Sequence, residues 1–201
     1  MAQLDQVKKH LKRGKVYRRN DLTKWSKAVD RHLGQMVSDG TLQKLSTGLY
    51  YFPKESAFGK TPPSEEELVK GFLKDDRFLL TSPNDYNGLG VGTTQLYNKR
   101  VVYNHKRHGE FRLGNRTFEF HVKHHFPRKL TREFLLVDLV NNVDQLAEDR
   151  ERVLEKALAK AATTNSSKLR SSIEDYGSAK TKKLFYNFLN SFQGQNAKLS
   201  S

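Results

Sequence analysis

The segment TLQKLSTGLYYFPK, residues 41–54, has the pattern of a β-hairpin. Apolar and polar residues alternate up to a Ser-Thr-Gly turn, and an aromatic pair follows the turn. A hairpin of this kind can close a small core, or it can form the wing of a DNA-reading module. The residues that precede it decide between these two interpretations.

Two short helices are predicted at the start of the chain. Leu4, Val7 and Leu11 recur at helical spacing, and Gly14 marks the end of that helix. A second helix is predicted in DLTKWS, with Asn20 as its N-cap.

A third helix is predicted within SKAVDRHLGQMVSDG, directly before the hairpin. Val29, Leu33 and Met36 recur with the 3.6-residue period, and Gly40 stands where a C-terminal cap is expected. The order of three helices and a two-stranded ribbon is that of a winged helix-turn-helix, and in such modules the last helix enters the major groove.

The polar face of the third helix therefore supplies candidate DNA contacts. We expect Lys27 to contact a phosphate, and Arg31 and Gln35 to reach base edges. An ordinary solvated face, on a module that contacts proteins, is the alternative. The full predicted set of DNA-contacting residues, including those of the preceding basic segment and the wing, is Arg18, Arg19, Lys24, Ser26, Lys27, Arg31, Gln35, Lys44, Ser46 and Thr47.

The charge distribution agrees with a polyanionic partner. The 201-residue chain has a formal net charge of +14. Residues 1–60 hold 13 basic and 5 acidic residues, so this segment carries more than half of the excess. A basic excess on one small module favours nucleic acid as the partner over a merely soluble basic surface.

Composition excludes several classes of protein. Cysteine is absent, so the chain has no disulfide framework and no thiolate metal site. No apolar run approaches the length of a membrane span, and the N-terminus has no apolar signal-peptide centre. These features predict a cytoplasmic protein.

A second domain is predicted after the boundary segment TPPSEE, residues 61–66. Ser64 and Glu67 form the pattern of a capping box for a helix. Strands are predicted at 78–81, 100–103, 110–113 and 116–122, with Gly114-Asn115 as a two-residue turn, and helices are predicted from 131 onward. We expect an α+β chain with a winged helix-turn-helix at 1–58, a mixed α/β domain at 62–192 with a small antiparallel sheet and a helical C-terminal part, and a disordered tail at 193–201.

No motif predicts catalysis or a cofactor. The segment GLGVGTT, residues 88–94, lacks the third glycine of a dinucleotide fingerprint and the Gly-Lys pair of a P-loop, so we interpret it as a structural turn. Five histidines lie between His105 and His125, but strand alternation places His121 and His125 on one side and His124 on the other, so we predict no metal site. Glu119 with Lys123 is a loose candidate for a metal-dependent nuclease, which is the enzymatic alternative.

Several segments resemble AbiEi-type antitoxins, the regulators of two-gene abortive-infection toxin–antitoxin systems. The similar runs, within 15–190, are AVDRHLGQMVSDGTLQKLSTGLYYFPK, GKTPPSEEELV, LLTSPNDYNGLGVGTTQLYNKRVVYN and FRLGNRTFEF. The resemblance is most specific in two motifs. The first is Gly48 to Pro53, and the second is Asn87 to Gly90 together with Thr93 to Gln95.

The resemblance implies a function beyond DNA binding. Members of that family have an N-terminal winged helix-turn-helix and a C-terminal antitoxin domain, bind inverted repeats in their own promoter and repress the operon. The toxin resembles a nucleotidyltransferase and is neutralised without a stable complex. We therefore expect double-stranded operator DNA as the partner of a protein that is a monomer in solution or a weak oligomer on DNA, with Lys27, Arg31 and Gln35 as the operator-reading face. Binding to an acidic toxin is a further alternative.

Overall fold

The structure is a computed structural model that describes residues 3–199, with side chains up to 191 apart from that of residue 166. The elements of the first part of the chain are α1 (Gln3–His10), β1 (Val16–Arg18), α2 (Arg19–Leu22), α3 (Val29–Ser38), β2 (Gln43–Ser46), β3 (Leu49–Tyr51), β4 (Lys54–Ser56), β5 (Gly59–Thr61) and α4 (Glu65–Leu73). Those that follow are β6 (Leu79–Thr81), a 3-10 helix (Pro83–Leu89), β7 (Arg100–Asn104), β8 (Gly109–Leu113), β9 (Arg116–Val122), α5 (Arg132–Asn142), a 3-10 turn (Val143–Gln145), α6 (Arg150–Ala162), α7 (Ser166–Tyr176) and α8 (Ala179–Leu199). The chain is α+β with small antiparallel sheets, as the sequence predicts.

The hairpin that opened the sequence analysis is present as β2 and β3. Gly48 has a φ of +72°, a left-handed conformation that glycine adopts without a steric penalty, and it lies in the turn between the two strands. Strand β1 pairs with the other side of β3, so the sheet has the order β1-β3-β2. Strand β1 was not predicted, because three residues are too few to show an alternating pattern.

A compact apolar core lies under this sheet. Its buried side chains come from all three helices and the start of the hairpin: Val7, Leu11, Leu22, Val29, Leu33, Met36 and Leu42. The predicted apolar faces of the first and third helices are therefore confirmed. The predicted second helix differs, because α2 spans only Arg19–Leu22 and Asn20 lies inside it. Its first turn is capped instead by Asp21, which accepts a hydrogen bond from the backbone N–H of Arg18 at 2.8 Å.

The chain divides into two compact units at places other than the predicted boundary. The first unit contains residues 1–78 and 106–120, and the second contains 79–105 and 121–201. Ser64 does cap α4, since its Oγ accepts from the N–H of Glu67. Helix α4 nevertheless belongs to the first unit, where Lys15 pairs with Glu67 at 2.8 Å and Gly71 leaves no room for a Cβ beside Val16.

Strands β8 and β9 form a hairpin whose turn lies in the first unit. Leu113 pairs with Arg116 across the turn, so the predicted two-residue connection at Gly114-Asn115 is confirmed. The N–H of Gly114 donates to the carbonyl oxygen of Leu45 at 2.8 Å. The hairpin thus supports strand β2 of the N-terminal sheet.

The second unit is mostly helical. Helix α5 is its centre, with Leu136, Val137 and Leu139 almost fully buried. Helices α6, α7 and α8 pack around it, and β6 pairs with β7 in register from Leu79 with Tyr103 to Thr81 with Val101.

The last helix continues beyond its predicted end. The segment predicted to be a disordered tail, 193–201, is helical as far as Leu199, and residues 200–201 lie outside the described residues. Its Gln, Asn, Ala, Lys and Leu residues include several good helix formers, which explains the extension. Within residues 3–199, no helix combines the length and the hydropathy needed to cross a bilayer.

Candidate nucleic-acid interface

Helix α3 presents an open polar face to solvent. Arg31 and Gln35 are one helical turn apart and exposed, whereas Leu33 and Met36 are buried on the opposite side. Gly34 lies beside Arg31 on the same exposed side of the helix, and a Cβ built there would have no atom within 4 Å. A glycine inside a helix costs about 0.5–1 kcal/mol relative to alanine, and here no packing contact requires it. The exposed face is therefore flat enough for a close approach to the helix backbone.

Three of the predicted lysines lie outside this helix and are also exposed. Lys24 and Lys27 are in the segment between α2 and α3, and Lys44 is on β2 opposite Tyr50. Lys27 lies two residues before the start of α3, so it is not part of the helical face on which the sequence analysis placed it.

Ser26 is not available for DNA contact, which corrects the prediction. Its side chain is 5% exposed. Its Oγ lies 2.8 Å from Nδ1 of His32 and accepts a hydrogen bond from the N–H of Ala28. Ser26 therefore holds the segment that leads into α3 against the first turn of that helix. The buried partner six residues ahead could not be recognised from the basic surroundings of Ser26 alone.

Arg19 holds the N-terminal end of α3 through an ion pair. Its Nε and Nη2 donate to the two carboxylate oxygens of Asp30, both at 2.6 Å. These hydrogen bonds lower the pKa of Asp30. The two side chains are exposed, so the pair is accessible to a competing anion.

Arg18 and Arg107 lie near each other in the first unit. The Nε of Arg18 donates to the carbonyl oxygen of Gly71 at 3.1 Å, and Arg107 lies over the ring of Phe72. Partial burial lowers the pKa of Arg18, and the positive charge of Arg107 lowers it further. Two guanidinium groups held close together favour an anion between or beside them.

These arginines line a concavity together with the hairpin turn. It has a volume of about 300 Å³ and brings together four of the predicted residues, Arg18, Arg19, Ser46 and Thr47. Arg107 is the contributor that the sequence analysis missed. It is 60 residues away from Thr47 in the sequence. Nothing in the residues around Arg107 predicts that it lies near the hairpin turn in the folded protein.

The glycine-rich segment after the 3-10 helix holds a carboxylate of the protein itself. The backbone N–H groups of Thr94 and Gln95 both donate to Oε1 of Glu148, at 2.8 and 3.0 Å. Gly90 and Gly92 have positive φ angles of 69° and 87°, which allow this turn. The segment is a structural turn, as predicted, and Glu148 occupies the place where a phosphate-binding loop would hold a phosphate.

Two of the histidines, and Lys123 of the nuclease pair, make contacts within the second unit. His105 stacks on Phe126 with ring centroids 4.8 Å apart, and His121 meets the edge of Tyr103. Lys123 lies 3.7 Å from the buried carboxylate of Asp138. Among the described residues, no group of three or more His, Asp or Glu side chains is arranged to hold a metal ion.

Comparison with known proteins places the chain in one family. No curated protein matches the sequence. A family model matches residues 3–164, which is most of the chain. The match includes the three helices, the hairpin and the concavity described above. The protein belongs to DUF6088, a family of unknown function.

Proposed function

We propose that the protein is a sequence-specific DNA-binding autorepressor and antitoxin of a two-gene toxin–antitoxin operon. Its N-terminal part is a winged helix-turn-helix, in which α3 is the recognition helix and the β2–β3 hairpin is the wing. The observation that carries the proposal is the open face of α3, where Arg31, Gly34 and Gln35 are exposed and a Cβ at Gly34 would meet no atom within 4 Å.

The chemistry of that face suits the major groove. An arginine can donate two hydrogen bonds to the O6 and N7 atoms of guanine, and a glutamine can bond the N6 and N7 atoms of adenine. Gly34 lets the helix backbone come close to the base edges. Lys24 and Lys27 are placed before the helix, where phosphate contacts fix the register of a recognition helix.

The wing and the arginine concavity suit the DNA backbone. Thr47 is exposed at the turn, and Arg18 and Arg107 line the same concavity. A phosphate bound there would receive charge-assisted hydrogen bonds from planar guanidinium groups. Arg19 is a further donor if the phosphate displaces Asp30.

Autorepression and antitoxin activity rest on the resemblance to AbiEi-type antitoxins. On that basis the operator is an inverted repeat upstream of the protein's own gene. The toxin is a nucleotidyltransferase-like protein encoded next to it, neutralised without a stable complex. The protein acts in the cytoplasm, as a monomer in solution or a weak oligomer on DNA.

A fluorescence anisotropy titration tests DNA binding. The labelled duplex is the region upstream of the protein's own gene, and the salt concentration is varied. Phosphate contacts release counterions, so log K is expected to fall linearly with log salt with a slope near −0.9 per contact, about −4 to −6 in all. An affinity that does not change with salt, or no binding at low salt, would refute the proposal.

Co-expression with the neighbouring gene tests the antitoxin part separately. Growth arrest by that gene alone, and recovery when this protein is co-expressed, is the expected result. Arrest that persists would remove the antitoxin assignment and leave DNA binding standing. A stable stoichiometric complex in a pull-down would favour the alternative of direct binding to an acidic toxin.

A further inference from the structure

The second unit contains a buried carboxylate that the proposed function does not use. Asp138 lies in the middle of α5 and is 1% exposed. Tyr86 donates its hydroxyl proton to Oδ2 at 2.8 Å, and the hydroxyl of Tyr103 lies 2.9 Å from Oδ1. Asn142 donates to the carbonyl oxygen of Asp138 at 2.8 Å and lies 3.4 Å from both phenol oxygens.

This arrangement holds a lysine in a defined place. The Nζ of Lys123 lies 3.7 Å from Oδ1 of Asp138 and 4.1 Å from the centroid of the Tyr103 ring. Burial raises the pKa of Asp138, and the charge of Lys123 acts in the opposite direction. A buried ionisable group is expensive to maintain, and such groups concentrate at functional sites.

A cavity of about 280 Å³ lies beside this network. Its positively charged lining comes from Lys99 and Lys123, with the imidazole of His121 beside them, and its aromatic lining includes Tyr97 and Tyr103. None of the described lining residues is acidic. The cavity lining thus combines the positive charges of two lysines with the aromatic rings of tyrosines.

Small hydroxyl groups complete the polar wall. Thr81 and Ser82 line the cavity at the end of β6. Both are buried: Asp85 accepts from the hydroxyl of Thr81 and from the backbone N–H of Ser82, and the hydroxyl oxygen of Ser82 accepts from the N–H of Asn84. Asp138 orients the tyrosine hydroxyls in the same way. The polar atoms around the cavity are therefore held in place before any ligand arrives.

We propose that this cavity binds a nucleoside monophosphate, a small anion that carries a planar aromatic base. The lysines would hold the phosphate, and the tyrosine rings would pack against the base. Small-molecule pockets range from roughly 300 to 1,000 Å³, so the cavity is at the lower limit and admits about one mononucleotide. Asp138 is a positioning residue, because it holds Lys123 and two tyrosines and is itself covered. The inference does not depend on DNA binding.

An NMR titration of the full chain tests this site. The probes are AMP, GMP, CMP and UMP, with the unphosphorylated nucleosides and inorganic phosphate as comparisons. We expect at least one mononucleotide to shift the amide signals of Tyr97, Lys99 and His121. Its nucleoside and inorganic phosphate should each bind at least about tenfold more weakly, a loss that corresponds to about 1.4 kcal/mol.

Variants locate the binding. Lys99→Gln removes one cation from a partly exposed position, so it leaves the buried network intact and should weaken binding about tenfold. Lys168→Gln, an equal charge change on the exposed surface of α7, should leave binding unchanged. Lys123→Gln should weaken binding further, with the unfolding transition measured to show that the fold persists.

Three results would overturn the inference. The first is no mononucleotide-dependent shift in the second unit. The second is a set of shifts confined to the arginines of the first unit, which would indicate nonspecific anion binding. The third is an equal affinity for inorganic phosphate, which would remove the planar ligand from the assignment.

Discussion

The two units of the molecule use charged side chains in opposite ways. In the first unit the charged groups of Arg31, Arg19 and Asp30 lie at the protein surface. The helices and strands that carry them pack on an apolar core. In the second unit the carboxylate of Asp138 is inside the core, next to a cavity. Water screens the first set strongly and the second weakly. Stability should therefore depend on Asp138, whereas DNA affinity should depend on the exposed set.

The largest expected effect follows from removing the buried carboxylate. Asp138→Ala leaves the hydroxyls of Tyr86 and Tyr103 without their acceptor and Lys123 without its counter-charge, and it opens a small void. We expect a loss of about 3 kcal/mol in the free energy of unfolding, measured by urea denaturation. Asp30→Ala, which removes an exposed carboxylate, is the control and should change stability far less, because water screens the exposed pair. Equal effects of the two substitutions would show that the contrast between the units is wrong.

The next effect concerns DNA affinity. Arg31→Ala should reduce the affinity for the operator by about 1–3 kcal/mol and relax the preference at one base pair, if Arg31 reads a base. Anisotropy titrations against the operator and its single-base variants measure both quantities. Arg128→Ala, an exposed arginine of the second unit, is the matched control. An equal loss on operator and random DNA would reduce Arg31 to a phosphate contact.

Gly34→Ala should separate stability from function. The new methyl group meets no atom of the protein, and alanine favours the helix, so stability should rise by about 0.5–1 kcal/mol. Operator affinity should fall, because the methyl group stands between the helix and the base edges. Gly88→Ala, in the 3-10 helix of the second unit and equally open, should leave DNA affinity unchanged. If Gly34→Ala binds as well as the natural protein, α3 does not lie closely in the groove.

The direction in which stability changes with pH should follow from the raised pKa of Asp138. Burial raises the pKa of Asp138 above the ordinary aspartate value of 3.8, so the native state holds this proton to a higher pH than the unfolded state does. The contribution of Asp138 to stability therefore falls as pH rises above 3.8 and through the folded pKa. Asp39 acts oppositely, because hydrogen bonds from Lys8 and Thr41 lower its pKa to about 2.

Urea unfolding isolates the effect of Asp138 when the natural protein and the Asp138→Asn variant are compared at several pH values from 3.8 upward. The difference in unfolding free energy between the two proteins should change with pH in the stated direction. A constant difference would contradict the assignment of a raised pKa.

The smallest effect is expected at the surface ion pair. Asp30→Asn removes a negative charge from the side of the first unit that we propose faces DNA, and it would release Arg19 for phosphate contact. Operator affinity should rise modestly, by less than the change expected for Arg31→Ala, because the Arg19–Asp30 pair is exposed. Anisotropy at low salt measures the change, and Asp175→Asn in α7 of the second unit serves as the control. A loss of affinity would mean that the pair positions α3 more than it opposes DNA.

Regular helices and longer strands were accessible to sequence analysis because their signals are local. The apolar spacing of Val29, Leu33 and Met36 predicted α3, and the turn at Gly114-Asn115 predicted the β8–β9 hairpin. Strand β1 and the position of α4 were not accessible, since both depend on pairing between distant segments. The prolines at 62 and 63 precede a helix that packs on β1, and both lie within the first compact unit.

The candidate sites show the same limit. Arg31 and Gln35 followed from helical periodicity alone. Ser26 was assigned wrongly because its partner, His32, is visible only in the folded chain. Arg107 was missed because it returns to the hairpin from a distant segment. Asp138 had a usable signal: the helix REFLLVDLVNN has apolar residues on every side, so a carboxylate within it has to be buried.

The most direct test of the central claim compares two DNA duplexes at physiological salt. One is the region upstream of the protein's own gene, and the other is a shuffled duplex of the same length and composition. If α3 reads bases, the natural duplex should bind at least about 10³-fold more tightly. A ratio near one would contradict a sequence-specific repressor and leave only a basic surface that attracts any polyanion.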